Sequence, residues 1–303
     1  MRKRLVVMVL LFLLFPFPWV GAGDWTREVT DGLGRRVRLT HPPERIVSLA
    51  PSLTEIAFSL ALGERVVGVT DFCDYPPEAR ARPKIGGMVN PSLEAIVALK
   101  PDLVLATTEG NRPETVAGLE RLGIAVYVVN PKGIEGVLSS IEGIGRATGR
   151  EKAAMELVKG IRERLNEVAG WLKGISRPRV LYLLWPAPLI VPGKDTLIND
   201  LIHRAGGENI SGNESIPYPL FSMEEVVARR PEVIVVSSKH GEGDIERLIQ
   251  NWRRFKVPAV GQGRVHFVNG DLINRSGPRI AEGLEALARI VHPEAFPPQP
   301  NLL

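Results

Sequence analysis

From Arg45 onward the chain alternates short, densely apolar runs with longer stretches whose apolar residues recur every three or four positions. The runs "RIVSLA", "RVVGVT", "DLVLAT", "VYVVN", "RVLYLLW" and "VIVVSS" are rich in β-branched residues and lack a polar face, the pattern of strands covered on both sides in a parallel sheet. Between them, "PSLTEIAFSLALG" and "PETVAGLERLG" carry the helical period. Strand and helix in regular succession predict βα units. Ser52 with Glu55 and Ser222 with Glu225 have the spacing of a capping box, and Pro91-Ser92 offers an N-cap without the reciprocal acid.

One helix-strand unit occurs twice. "PSLEAIVALKPDLVLAT" at 91–107 and "FSMEEVVARRPEVIVVS" at 221–237 align at an offset of 130 residues, which places Ser92 on Ser222, Glu94 on Glu224, Ala98 on Ala228 and Pro101 on Pro231. Two copies so far apart are no solenoid. Between about residues 134 and 173 the strand pattern disappears and a long helical stretch takes its place, with a break expected at Thr148-Gly149. The predicted fold class is therefore α/β, with two doubly wound lobes joined by a long helical spine. The expected organisation is an N-terminal lobe at 23–133, the spine at 134–173 and a C-terminal lobe at 174–303. A helical connection resists bending, so the lobes should rock slightly about a ligand rather than swing shut.

The first 22 residues form a separate segment. Arg2-Lys3-Arg4, then "LVVMVLLFLLFPFPWV", then "VGAG" follow the order of a secretory signal, with cleavage expected near Ala22 and a soluble, periplasmic mature chain. Removing three basic residues lowers the net charge from +4 to about +1, which is no nucleic-acid footprint. A hydrophobic content of 44% in 303 residues can supply two separate cores. The single cysteine, Cys73, cannot form an internal disulfide, and the five histidines show no metal-ligand spacing. Neither "GIGRATG" nor "PGKDT" is a phosphate-cradling loop, and no nucleophile-base-orienter set is visible. No catalytic or metal site is expected, and an exported α/β enzyme is the weaker reading.

Aromatic residues make up 6% of the chain, yet several fall in Pro-flanked loops: Phe72 and Tyr75 in "DFCDYPPEA", Trp185 in "LLWPAP", Tyr218 and Phe221 in "IPYPLFS". Open α/β sheets bind ligands at such strand ends, so these loops should wall a shared apolar cleft. The stretch from "PERIVSLAPSLTEIAFSLALG" through "DYPPEARARPKIGG" and "PSLEAIVALKPDLVLAT", continued by "GGENI" and "SGPRIAEGLEALARI", closely resembles the periplasmic substrate-binding proteins of ABC importers for cobalamin, within the class that also carries ferric siderophores and haem. The resemblance implies a helical-backbone binding protein without catalysis. It implies a monomer that delivers a corrinoid to a permease dimer with its ATPase subunits. The loop with Asp74 and Tyr75 resembles the one that packs on the corrin ring. Trp185, Tyr218 and Asp271 match other pocket positions, and Met88 and Tyr218 stand where the best-known cobalamin binder has tryptophans. A haem ligand would want an axial residue, which Tyr75 or Tyr218 could supply. By the same resemblance Glu94 and Glu224 are the acids, one per lobe, that engage basic residues of the permease. A first-turn carboxylate is also favoured by the helix dipole.

Overall fold

The computed structural model describes residues 25–237 and 249–296; the expected signal segment lies outside the described residues. A β-hairpin of β1 (Arg27–Thr30) and β2 (Arg36–Leu39) leads into the first lobe. That lobe runs β3 (Ile46–Ser48), α1 (Pro51–Ser59), β4 (Val66–Val69), α2 (Leu93–Ala98), β5 (Leu103–Thr107), α3 (Pro113–Arg121) and β6 (Val126–Val129). Its strands pair in parallel in the order β4-β3-β5-β6. The second lobe holds β7 (Arg179–Leu183), a small hairpin of β8 (Trp185–Pro186) and β9 (Leu189–Ile190), α6 (Leu197–Arg204), β10 (Glu208–Asn209), α7 (Met223–Arg229), β11 (Val233–Ser237) and β12 (Val265–Val268). Its parallel sheet has the order β10-β7-β11-β12. Both sheets share one winding, in which the second strand lies beside the first and the third crosses to its other side. The repeated unit occupies the same place in each, as α2-β5 and α7-β11.

The helical stretch between the lobes is no single rod. It divides into α4 (Gly133–Thr148) and α5 (Glu151–Trp171) at Gly149, whose φ of 72° takes the left-handed conformation that closes α4 and that glycine adopts without strain. The two helices then run antiparallel: Arg162 of α5 returns to Glu135 at the start of α4, at 2.8 Å. Close approach is needed near the turn, because a Cβ on Gly145 would lie 2.5 Å from that of Ala154. The break thus falls at Thr148-Gly149 as expected, and what differs from the expected spine is that α5 folds back along α4 as a helical hairpin.

This hairpin changes how the core is built. Ala154, Val158, Ile161, Leu165 and Val168 form one buried stripe along α5, spaced four, three, four and three residues apart. Together with α4 they join Leu103 and Leu105 of one sheet to Val180, Tyr182, Val233 and Val235 of the other in a single apolar cluster. Alternate residues face outward into separate clusters, with Val104 and Ala106 beneath α2 and α3, and Ile234 and Val236 in the second lobe. The expected two cores are thus one shared core with an outer layer on each lobe. Such a continuous interior opposes large lobe movement.

Helix starts differ from expectation at one point. Ser92 caps α2 by accepting from Ala95 N at 3.1 Å, and Ser222 with Glu225 completes a capping box on α7. At α1 the Ser52–Glu55 box does not form. The helix begins at Pro51, and Glu55 is 2% exposed, turned away from the helix end.

Candidate functional site

Between the lobes lies a cleft of about 700 Å³. Ala50, Pro51 and Ser52 follow β3, and Glu109 follows β5, so the N-terminal wall sits at the carboxyl ends of adjacent strands where the winding reverses. The facing wall comes from Leu184 after β7, Ile198 of α6, Tyr218, and the segment Asp271–Ser276 after β12. Phe72 and Met88 complete an apolar surface broad enough for a flat ligand.

Of the residues expected at the site, Phe72, Met88, Tyr218 and Asp271 line this cleft. Asp74 and Tyr75 stand outside the lining and serve an ion cluster at its edge. The Arg275 guanidinium, its side chain 9% exposed, lies 3.0 Å from Glu55, 2.8 Å from Asp74 and 2.9 Å from Asp271. Arg279 holds Glu55 bidentately at 2.8 and 2.7 Å, and its guanidinium lies 3.9 Å from the centre of the Tyr75 ring. Burial alone would raise the Asp74 carboxyl, but the hydrogen bond and charge of Arg275 outweigh it and hold Asp74 below its usual range. The aromatic in "DYPP" therefore packs on an arginine that reaches across from the opposite lobe.

Two other expected positions move out of the cleft. Trp185 is half exposed on the β8-β9 hairpin, with its indole N–H donating to Ala187 O at 2.9 Å, and is absent from the lining. Phe221 is buried in the outer layer of the second lobe beneath the Arg229 guanidinium, 4.5 Å from its ring centre. The cleft wall draws its aromatic surface from Phe72 and Tyr218.

The loop "NGDLINRS" that carries Asp271 matched pocket positions by resemblance, but its residues after Asp271 were not singled out. The segment Asn274-Arg275-Ser276 is positioned by a buried chain in which Tyr182 donates to Asn274 Oδ1 at 2.8 Å and Asn274 Nδ2 donates to Ser237 Oγ at 3.0 Å. Burial pushes the Tyr182 hydroxyl well above its ordinary range, so it stays a donor. Ser276 in turn donates to Glu109 Oε2 at 2.6 Å, a second bond between the lobes. The wall crowds water from Glu109 and raises its carboxyl, while the Ser276 bond pulls the other way. The Tyr218 hydroxyl is raised first by burial and then by the charge of Glu109. A signal existed for the cluster: Glu55 sits inside the apolar run of α1, and Arg275 and Arg279 are four residues apart in "RSGPR".

Glu94 and Glu224 lie far from this chemistry. Each is the second residue of its helix, α2 or α7, and each is exposed. The structure places them equivalently in the two lobes, as the repeat implies.

A cleft between two like-wound α/β lobes braced by helices defines a class of solute-binding proteins. The family model described as "Periplasmic binding protein" matches residues 46–272, and the chain belongs to that family. It is 34% identical over 275 residues to the uncharacterized ABC transporter substrate-binding lipoprotein YvrC of Bacillus subtilis, covering 88% of this chain and 86% of that protein. Among solved structures it resembles the periplasmic vitamin B12 binding protein BtuF of Vibrio cholerae, with a TM-score of 0.75 and 30% identity over 82% of this chain and 97% of that one. It also resembles the periplasmic heme-binding protein RhuT from Roseiflexus sp. RS-1 in apo form, with a TM-score of 0.76 and 29% identity over 84% and 99%. The chain is accordingly a substrate-binding protein of the ABC-transporter class whose members take B12, haem or siderophores.

Proposed function

We propose that the protein captures a corrinoid, cobalamin, in the cleft between its lobes outside the cytoplasm and hands it to an ABC importer. The observation that carries the ligand is the charge of the cleft. Arg275, the one cation among its described lining residues, is already bonded to three carboxylates. A flat macrocycle edged with neutral amides meets such a wall without loss, whereas haem would bring two carboxylates with no free cation to receive them. Vitamin B12-binding proteins stand among the relatives, which supports the same reading.

Haem is the second reading, favoured by one residue: Tyr218 lies in the wall and could ligate iron. Glu94 and Glu224 would meet basic residues on a two-fold permease, one from each lobe. Cyanocobalamin, haemin and a ferric siderophore mixed separately with the protein and desalted give a direct test. A retained corrinoid spectrum, with one-to-one stoichiometry by calorimetry, is the expected result. Retention of haemin alone would refute the ligand assignment.

A further inference from the structure

One carboxylate of the cleft is held by no cation among the described residues. Glu55 and Asp74 are tied across the cleft to Arg275 or Arg279, and Asp271 is tied to Arg275 within its own lobe. Glu109 differs. It follows β5 at the point where the winding reverses, it is exposed into the cleft, and its side-chain partner is a neutral hydroxyl, that of Ser276. Its position is set by the backbone rather than by chance. Glu109 N donates to Thr107 Oγ1 at 3.2 Å, and Thr107 N donates to Asn111 Oδ1 at 2.8 Å. Asn111 Nδ2 then donates to the carbonyls of Leu49 and Met88 at 2.9 and 2.8 Å. A loop anchored at both ends to the cleft wall holds the carboxylate over the opening.

We infer that Glu109 is a specificity-determining residue, which selects ligands by charge: it accepts from N–H donors at the edge of a flat ligand and rejects ligands whose edge carries carboxylates. In the neighbouring ion cluster three carboxylates already engage Arg275 and Arg279, with Arg80 also acting on Asp74, so neither guanidinium of the cluster is left free and Glu109 adds a carboxylate with no cation of its own. A ligand carboxylate entering this wall finds every guanidinium occupied and meets an anion in a partly dehydrated cleft. Like charges there repel far more than in open water. An amide at the same place finds an acceptor already oriented by Ser276. The apolar walls set the shape of the ligand, and Glu109 sets the sign of its periphery.

The inference rests on the corrinoid reading, and the test separates the two. Cyanocobalamin and its monocarboxylic acid derivatives differ by conversion of one side-chain amide to a carboxylate, with the macrocycle unchanged. Titration calorimetry at neutral pH should show the wild-type protein binding the amide form at least roughly tenfold more tightly than the derivative whose acid faces Glu109. Glu109→Gln should reduce that ratio to about threefold or less, since the glutamine oxygen still accepts but the charge is gone. Ser276→Ala should keep the ratio, because the charge remains. Far-ultraviolet circular dichroism and melting temperature confirm that each variant is folded. Equal affinity of the wild-type protein for all these derivatives, or undiminished discrimination in Glu109→Gln, overturns the inference. If the wild-type protein binds no corrinoid, the functional reading fails separately. Haemin and its dimethyl ester then make the same comparison, and discrimination that survives Glu109→Gln overturns the role of Glu109.

Discussion

Replacing Glu55 by alanine tests how the lobes are held together. The side chain is 1% exposed and accepts from Arg275 at 3.0 Å and from Arg279 at 2.8 and 2.7 Å. Removing it does not affect the two arginines equally. Arg275 keeps Asp74 at 2.8 Å and Asp271 at 2.9 Å, so its charge stays compensated. Arg279 loses its ion-pair partner and keeps the face of Tyr75, a contact worth about 0.5–2 kcal/mol. Breaking one side of a buried pair commonly costs about 3–5 kcal/mol because a charge is left uncompensated. Here the retained partners place the expected loss near the lower limit, about 3 kcal/mol. Equilibrium denaturation of Glu55→Ala, Arg275→Ala, Arg279→Ala and the paired variants measures it. The coupling of Glu55 with Arg279 should exceed that with Arg275. A loss below about 1 kcal/mol, or the reverse order of couplings, would show that packing rather than this cluster joins the lobes.

Phe72→Ala and Tyr218→Ala should each weaken corrinoid binding by about 1–3 kcal/mol through lost contact with a flat ligand, measured by calorimetry; unchanged affinity in both would move the site elsewhere. Glu94→Ala with Glu224→Ala should leave ligand affinity intact and reduce docking to a reconstituted permease by about 2–5 kcal/mol, and normal docking would remove their assigned role. Stability should fall on acidification. Burial raises Asp74 and Glu285, but Arg275 outweighs it at Asp74, and Arg289 with Arg164 outweighs it at Glu285, so both carboxyls are held below their usual values of 3.8 and 4.5. Their contribution is complete above those values and disappears as pH drops through the lower folded-state ones. Melting temperatures measured downward from pH 5 should therefore decline, with a shallower slope in Arg164→Ala, and an identical slope would exclude Glu285 as a source.

Local pattern alone determined much of this protein. Strands buried on both faces announce themselves as unbroken apolar runs, and the capping box at Ser222 and Glu225 needs only four neighbouring residues. The repeat located equivalent units, and with them Glu94 and Glu224, because an offset in sequence becomes an equal place in two like-wound sheets. Phe72 and Tyr218 were legible for a related reason, since loops at strand ends converge in an open α/β fold, whereas Met88 and Asp271 were named only through the family resemblance. What remained hidden depends on partners distant in the chain. Glu55 looks like a capping acid until Arg279, separated from it by 224 residues, crosses from the other lobe. That Arg279 lies over Tyr75 and Arg275 pairs with Asp74 was equally hidden, because both arginines come from the other lobe. Glu109 is an unremarked acid in a turn until Ser276 meets it across the cleft. Whether a carboxylate caps a helix, binds lobe to lobe or faces a ligand is decided by which charges and how much water surround it, and only the tertiary structure brings those together.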